Sequence, residues 1–166
     1  MSNKDEILIL IAEIKDELSK LQAVVDRLIG QRGRTDDDEV TESAALRLHN
    51  FYTGCERIFK LISKEMNGTL PQSLDWHKRL LTQVSLEIPA IRPAVLSEQT
   101  RKDLERLLRF RHIVRSVYGY ELESERVEEL LNLAIEVFPR LRQDLEQFIE
   151  FLQNLHEQAS RQKRPG

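Results

Sequence analysis

Residues 124–152 read SERVEELLNLAIEVFPRLRQDLEQFIEFL, and their apolar members decide the fold class. Val127, Leu130, Leu131, Ala134, Phe138, Leu141, Leu145, Phe148 and Leu152 return mostly at steps of three or four, which puts them on one face of a helix. A half-buried strand would alternate every second residue instead. Pro139 falls inside the run without changing its phase, so the expectation is one kinked helix rather than two.

The same period extends back toward the N-terminus. A fourth helix is expected from a Ser97 cap to about Tyr118, ending at Gly119. Before it, Ile88-Pro89-Ala90-Ile91-Arg92-Pro93 cannot be regular helix, because each proline biases its predecessor toward extended geometry. A short third helix is opened by Pro71 and Ser73 and carries Trp76, Leu80, Leu81 and Val84. The second carries Ala44, Leu48, Phe51, Tyr52, Cys55, Ile58, Phe59, Ile62 and Met66 and stops at Asn67-Gly68. Thr35-Asp36-Asp37-Asp38-Glu39 supplies acidic groups where its N-terminus favours them. The first helix has a stripe of Ile7, Ile11, Ile14, Leu18, Leu21, Val25 and Leu28, closed by Gly30 and Gly33. No internal repeat and no strand pair is visible. The expected fold is all-α, an antiparallel bundle of about five helices. Residues 1–157 are expected to form one domain and residues 158–166, with Arg161, Lys163 and Arg164, a basic disordered tail.

Composition narrows the function classes. The 166 residues suit a single domain. Forty per cent hydrophobic residues are enough for a core, and a net charge of −3 gives no global attraction for phosphate. The average hides an asymmetry, however: cations concentrate in the fourth helix and the tail, and acids at the start of the second helix and the turn into the fifth. Cys55 is the single cysteine, which excludes an intramolecular disulfide and a Cys-based zinc module. The first residues lack a secretory pattern, and no apolar run approaches the roughly 20 residues that span a bilayer. A cytoplasmic location with no membrane association is the expectation.

Most catalytic signatures are missing. There is no glycine-rich phosphate loop, His-Glu-x-x-His, G-x-S-x-G or acidic calcium loop. His49, His77, His112 and His156 show no metal-ligand spacing and read as surface or packing residues; no metal or cofactor is expected. Cys55, in an apolar pattern, reads as a buried thiol. The exception is residues 101–118, RKDLERLLRFRHIVRSVY. Arg111 lies on the stripe of Leu104, Leu107 and Val114, with Arg115 and Tyr118 following at i+4 and i+7. A guanidinium there is costly unless it is paired or lines a cleft. Two readings stand side by side: a buried pair with a carboxylate of a neighbouring helix, or a groove in which the planar Arg fork meets a phosphate. In the second, the remaining basic residues of the helix, Arg109 and Arg115 among them, widen the attraction for a polyanion.

The run Phe110-Arg111-His112-Ile113-Val114-Arg115-Ser116-Val117-Tyr118-Gly119-Tyr120, followed by Glu121-Leu122-Glu123, resembles the signature helix end of the HEPN superfamily, in particular its HepT-like branch. Phe51-Tyr52-Thr53-Gly54-Cys55-Glu56-Arg57-Ile58-Phe59, Asp75-Trp76-His77 and Ile91-Arg92-Pro93 resemble the same branch. The resemblance implies a metal-independent endoribonuclease whose active site forms across a homodimer interface. It also implies a toxin–antitoxin pair in which an MNT-type nucleotidyltransferase is the antitoxin and transfers AMP to a tyrosine. In the family motif Arg111 takes the arginine position, His112 the polar position and Tyr118 the position of the AMP acceptor.

Ser116 occupies the place of the catalytic histidine. Serine is no general acid or base near neutral pH, the task imidazole performs in cleaving RNA through its 2′-hydroxyl. His112, one turn earlier, is the candidate substitute, with Arg111 and Arg115 stabilising charge on the phosphate. The alternative is a non-cleaving homologue that binds RNA, a nucleotide or a protein partner.

Overall fold

The computed structural model describes residues 3–116 and 123–163, with backbone alone for residues 112–116. Five helices follow one another: α1 (Asn3–Gln31), α2 (Asp38–Asn67), α3 (Trp76–Val84), α4 (Glu98–Ser116) and α5 (Ser124–Gln162). The expected all-α bundle is what forms. No strand occurs among the described residues; the nearest approach is an isolated bridge between Ile88 and Arg92. No helix is long and apolar enough to cross a membrane among the described residues.

α2 is the hub, packing on each of the other four helices. With α1 and α5 it builds the main core, where Ile14, Leu21, Leu28, Phe51, Phe59, Leu130 and Leu141 are buried. The stripe that defined α1 in the sequence is the face it buries: Ile7, Ile11, Ile14, Leu18, Leu21, Val25 and Leu28 are all inside. Gly54 is there because α1 comes close. A Cβ at this position would stand 2.6 Å from Leu21 Cδ2, so a larger residue would push two packed helices apart.

The ends of α2 follow local chemistry. Asp37 caps it, its Oδ1 accepting from the Glu39 amide at 2.9 Å and the Val40 amide at 3.4 Å, which satisfies donors that have no intrahelical partner. Gly68 ends it in the left-handed region, φ 73°, where glycine carries no Cβ penalty. The α1–α2 turn is tied to α5 by Glu128, which accepts from the Gly33 amide at 2.7 Å and from Thr35 Oγ1 at 2.9 Å.

α5 is one helix through Pro139. Proline removes a single backbone donor, and Val137, Phe138 and Leu141 hold both sides of it in the core. The helix also runs beyond the expected boundary at residue 157, as far as Gln162. Gln158, Ala159, Arg161 and Gln162 are good helix formers, and elongation onto an existing helix avoids the cost of nucleation. Residues 164–166 of the expected tail lie outside the described residues.

α4 is anchored through its first turns. Ser97 caps it, with Oγ 3.4 Å from the Thr100 amide, while the Ser97 amide and hydroxyl both reach Asp144 of α5. Further along, Arg140 donates to Asp103 at 2.6 Å. The connector before α4 is held by Arg92, a residue only 3% exposed. Its guanidinium donates to the carbonyls of Gln83, Leu86 and Pro93 and to Asn67 Oδ1, at 2.9–3.3 Å. The carbonyls of Gln83 and Leu86 lie in or just past the last turn of α3, where the helix dipole favours a cation. The turn is tight enough to drive Ala90 to φ 67°. These restraints bring the last described turns of α4 against α2 and α3.

Candidate functional site

Where α2, α3 and α4 meet, the polar side chains of Glu56, His77 and Arg111 converge. Tyr52, Glu56, Phe59 and Ser63 follow one another on α2 at i, i+4, i+7 and i+11, and all are buried. This face is apolar enough to pack yet carries a carboxylate in the middle. Glu56 is 2% exposed. Its Oε2 lies 2.5 Å from Nδ1 of His77, at the start of α3, and its Oε1 accepts from Nη1 of Arg111 on α4. Arg111 Nη1 is also 2.8 Å from His77 Nδ1.

One nitrogen of His77 therefore faces both a carboxylate and a guanidinium, and it cannot donate to one while accepting from the other. A guanidinium nitrogen only donates. If Nδ1 were the bare nitrogen, its lone pair would oppose a carboxylate oxygen at 2.5 Å. A proton on Nδ1 suits the Glu56 carboxylate, while Arg111 Nη1 donates to the other carboxylate oxygen and faces Nδ1 as a second donor nitrogen. Glu56 and Arg111 together are neutral, which is what makes the burial of both tolerable.

The burial is graded. The Glu56 side chain is 3% exposed, that of His77 10% and that of Arg111 12%. The carboxylate is the innermost group, and the two nitrogen-bearing groups stand nearer the surface. Capacity for further hydrogen bonds is left over: Arg111 Nε and the Tyr52 hydroxyl are buried and have no partner among the described residues. Burial, then the nearby Glu56 charge, pushes the Tyr52 phenol well above its ordinary value, with Arg111 opposing. The indole of Trp76 stacks on the His77 ring, centroids 3.5 Å apart, and Lys60 Nζ lies 4.2 Å from the Trp76 ring centroid, within cation–π range. A cleft of about 390 Å³ is lined by Lys60, Leu70, Pro71, Gln72, Trp76 and Leu80.

Of the two readings kept open for Arg111, the structure shows the carboxylate partner: Glu56 of the neighbouring α2. Arg109 is not drawn into the cluster; it is 70% exposed and lies 3.5 Å from Glu105 on its own helix. The side chains of His112, Arg115 and Ser116 and the whole of Tyr118 lie outside the described residues. Cys55 is buried as its pattern suggested, and desolvation pushes its thiol far up. His156 meets the Lys4 carbonyl at 3.2 Å. The sequence reading passed over Glu56 and treated His77 as ordinary packing. One signal for Glu56 was present, a charged residue at i+4 from Tyr52 and i−3 from Phe59 on a buried stripe. His77 stood in a stretch that resembles the HepT-like branch, Asp75-Trp76-His77, but nothing local gave it a role, since its partners Glu56 and Arg111 come from other helices.

Against known families, residues 43–152 match the model described as HepT-like protein. The chain belongs to the HepT-like family. The match takes in α3, α4 and the cluster, and leaves out α1, whose seam closes the core from outside it. The HEPN resemblance read from residues 110–123 is thereby borne out at the level of family. No curated protein and no solved structure gave a match. In this HepT-like chain Arg111, which the resemblance placed at the motif's arginine position, links α4 to α2 and α3 through Glu56 and His77.

Proposed function

We propose that this HepT-like chain is a metal-independent endoribonuclease, the toxin of a pair whose antitoxin is an MNT-type nucleotidyltransferase, working as a homodimer. One observation carries the reading beyond family membership: the motif arginine, Arg111, sits beside a buried carboxylate–imidazole pair with a guanidinium N–H to spare. A guanidinium neutralises a phosphodiester and the extra charge of its transition state. His112 is the motif's own candidate for proton transfer, Arg109 and Arg115 extend the cationic surface along RNA, and Tyr118 is the candidate AMP acceptor.

Two observations favour the rival, a non-cleaving homologue that binds RNA, a nucleotide or a partner protein. Ser116 stands at the histidine position, and Arg111 already has a carboxylate partner. The test is cleavage of single-stranded RNA in the presence of chelator by wild type, Arg111→Lys and His112→Ala. Lysine keeps a cation against Glu56 but loses the planar fork, so it separates phosphate recognition from folding. Cleavage by wild type that falls at least tenfold in Arg111→Lys supports the nuclease. Absence of cleavage with RNA binding retained supports the rival. An adjacent short nucleotidyltransferase frame, and co-purification with its product, tests the partner.

A further inference from the structure

We propose that the groove around Lys60 docks a partner protein through an amphipathic helix that carries carboxylates along one edge of its apolar stripe. Two clefts make up the groove. One, of about 440 Å³, lies between α1 and α2 and has Leu61 and Leu70 among its lining residues. The other, of about 390 Å³, takes its apolar side from Leu70, Pro71, Trp76 and Leu80. Lys60 and Leu70 line both, so the two are continuous. An apolar floor with a charged rim is what an amphipathic helix covers. The docking site stands whether or not the chain cleaves RNA.

The rim charges select the partner. On α2, Arg57, Lys60 and Lys64 all line the groove, and their spacing of i, i+3 and i+7 puts them on one face. Arg57 already meets Glu17 at 3.3 Å, and Asp16 meets Lys20 at 2.9 Å. Lys60 and Lys64 form no ion pair among the described residues. Lys60 is half-buried, and its ammonium has the Trp76 ring at 4.2 Å from the centroid in place of a carboxylate. The two lysines stand about 6 Å apart along the helix axis. A partner helix with carboxylates at i and i+4 has the same spacing. The loop between α2 and α3 adds a further apolar group: Leu74, flanked in sequence by the groove-lining Gln72 and Trp76, is wholly exposed. One exposed leucine alone means little, but next to an apolar groove it extends the surface a helix can bury.

A nucleic acid fits the same groove poorly. Its α1 wall is acidic, with Glu13, Asp16 and Glu17, and a phosphate backbone meets like charge there. The Trp76 ring is not open to a base either. His77 stacks on it with centroids 3.5 Å apart, and Lys60 Nζ stands 4.2 Å from the same centroid. Groups that close to one ring cannot share a face, so both faces are covered. A protein segment carries both signs of charge and can answer both walls.

Trp76 is the single tryptophan of the chain, so its fluorescence in the full-length protein reads the groove directly. Three synthetic helical peptides of about 15 residues serve as probes. They share a leucine stripe and differ at two edge positions, i and i+4, which carry Glu, Gln or Lys. The Glu peptide is expected to give a saturable change in Trp76 emission and to bind about tenfold more tightly than the Lys peptide at low salt, a gap that narrows as salt rises. In Lys60→Glu with Lys64→Glu the order of the two peptides should reverse. If that double variant fails to fold, Lys64→Glu alone, at an exposed position, should narrow the gap by about threefold. No saturable change with any peptide, or binding indifferent to the edge charge, overturns the proposal. A single-stranded RNA oligonucleotide that changes Trp76 emission and displaces the Glu peptide also overturns it, in favour of a nucleic-acid groove.

Discussion

Among the described residues Arg92 is buried and Arg111 nearly so, and the two are held in opposite ways. Arg92 spends its guanidinium on neutral acceptors, three backbone carbonyls and an Asn side chain. Arg111 meets a carboxylate and an imidazole and keeps a buried N–H without a partner among the described residues. For Arg92, desolvation lowers the affinity for a proton, and no opposite charge offsets it; the dipole of α3 and the number of bonds hold it there. It acts as a rivet for the α3–α4 connector. At Arg111 charge is balanced but hydrogen bonding is incomplete. An unfilled donor is not peculiar to Arg111, since Arg140, paired with Asp103, also keeps a buried Nη1 without a partner among the described residues; what sets Arg111 apart is the imidazole beside it.

The largest effect expected from breaking this contrast is on the Arg111 side. Glu56→Ala strands a buried cation and is expected to cost about 3–5 kcal/mol in denaturant unfolding. Replacing both members, Glu56→Leu with Arg111→Met, should restore most of that loss, because apolar pairs of similar size often equal a buried ion pair. A single-variant cost below about 1 kcal/mol would mean that the pair is solvated rather than buried.

Arg92→Met should cost somewhat less, about 2–3 kcal/mol, since the carbonyls it leaves can partly find water. The loss should show in hydrogen exchange at the α3–α4 connector before it shows globally.

An alkaline titration separates the two neighbourhoods next. Cys55 and Tyr52 flank Glu56 on α2 and are held neutral by burial. Their folded-state affinities for protons exceed those of the unfolded chain. The stability they contribute is therefore complete below about pH 8.5 for the thiol and about pH 10 for the phenol, and falls as pH rises, by up to about 1.4 kcal/mol per pH unit per group. Cys55→Ala should remove the earlier part of this decline, and a thiol reagent should label the native protein only as fast as it opens.

The smallest effect belongs to the connector. Ala90 has φ 67°, a region that costs an L-residue about 1–2 kcal/mol. Ala90→Gly relieves that strain but adds freedom to the unfolded chain, worth about 0.4–1 kcal/mol. A net gain of about 0.5–1 kcal/mol in thermal or denaturant unfolding is expected; a net loss would show that the conformation is not strained.

Much of the bundle was legible from periodicity. The stripe of α1 from Ile7 to Leu28, the acidic start and Gly68 stop of α2, the Ser97 cap of α4 and the persistence of phase through Pro139 all correspond to observed elements. These signals are local, carried by residues within a turn or two of one another. The end of α5 was less legible, because a polar helix that no longer packs loses its periodicity while keeping its helix propensity. The candidate site was legible only in part. Arg111 stood out because a charge on an apolar stripe demands a partner, but the sequence offered no way to choose among its many carboxylates.

The sequence by itself determined, through spacing along the chain, that this protein is an all-α bundle with an arginine-rich fourth helix, and its motifs resembled the HepT-like family. Only the tertiary structure decided that Arg111 meets Glu56 and that His77 joins them. Glu56 and His77 are 21 residues apart and Glu56 and Arg111 are 55. At such separations no local periodicity relates two side chains, and only the packing of α3 and α4 on the hub helix brings carboxylate, imidazole and guanidinium together.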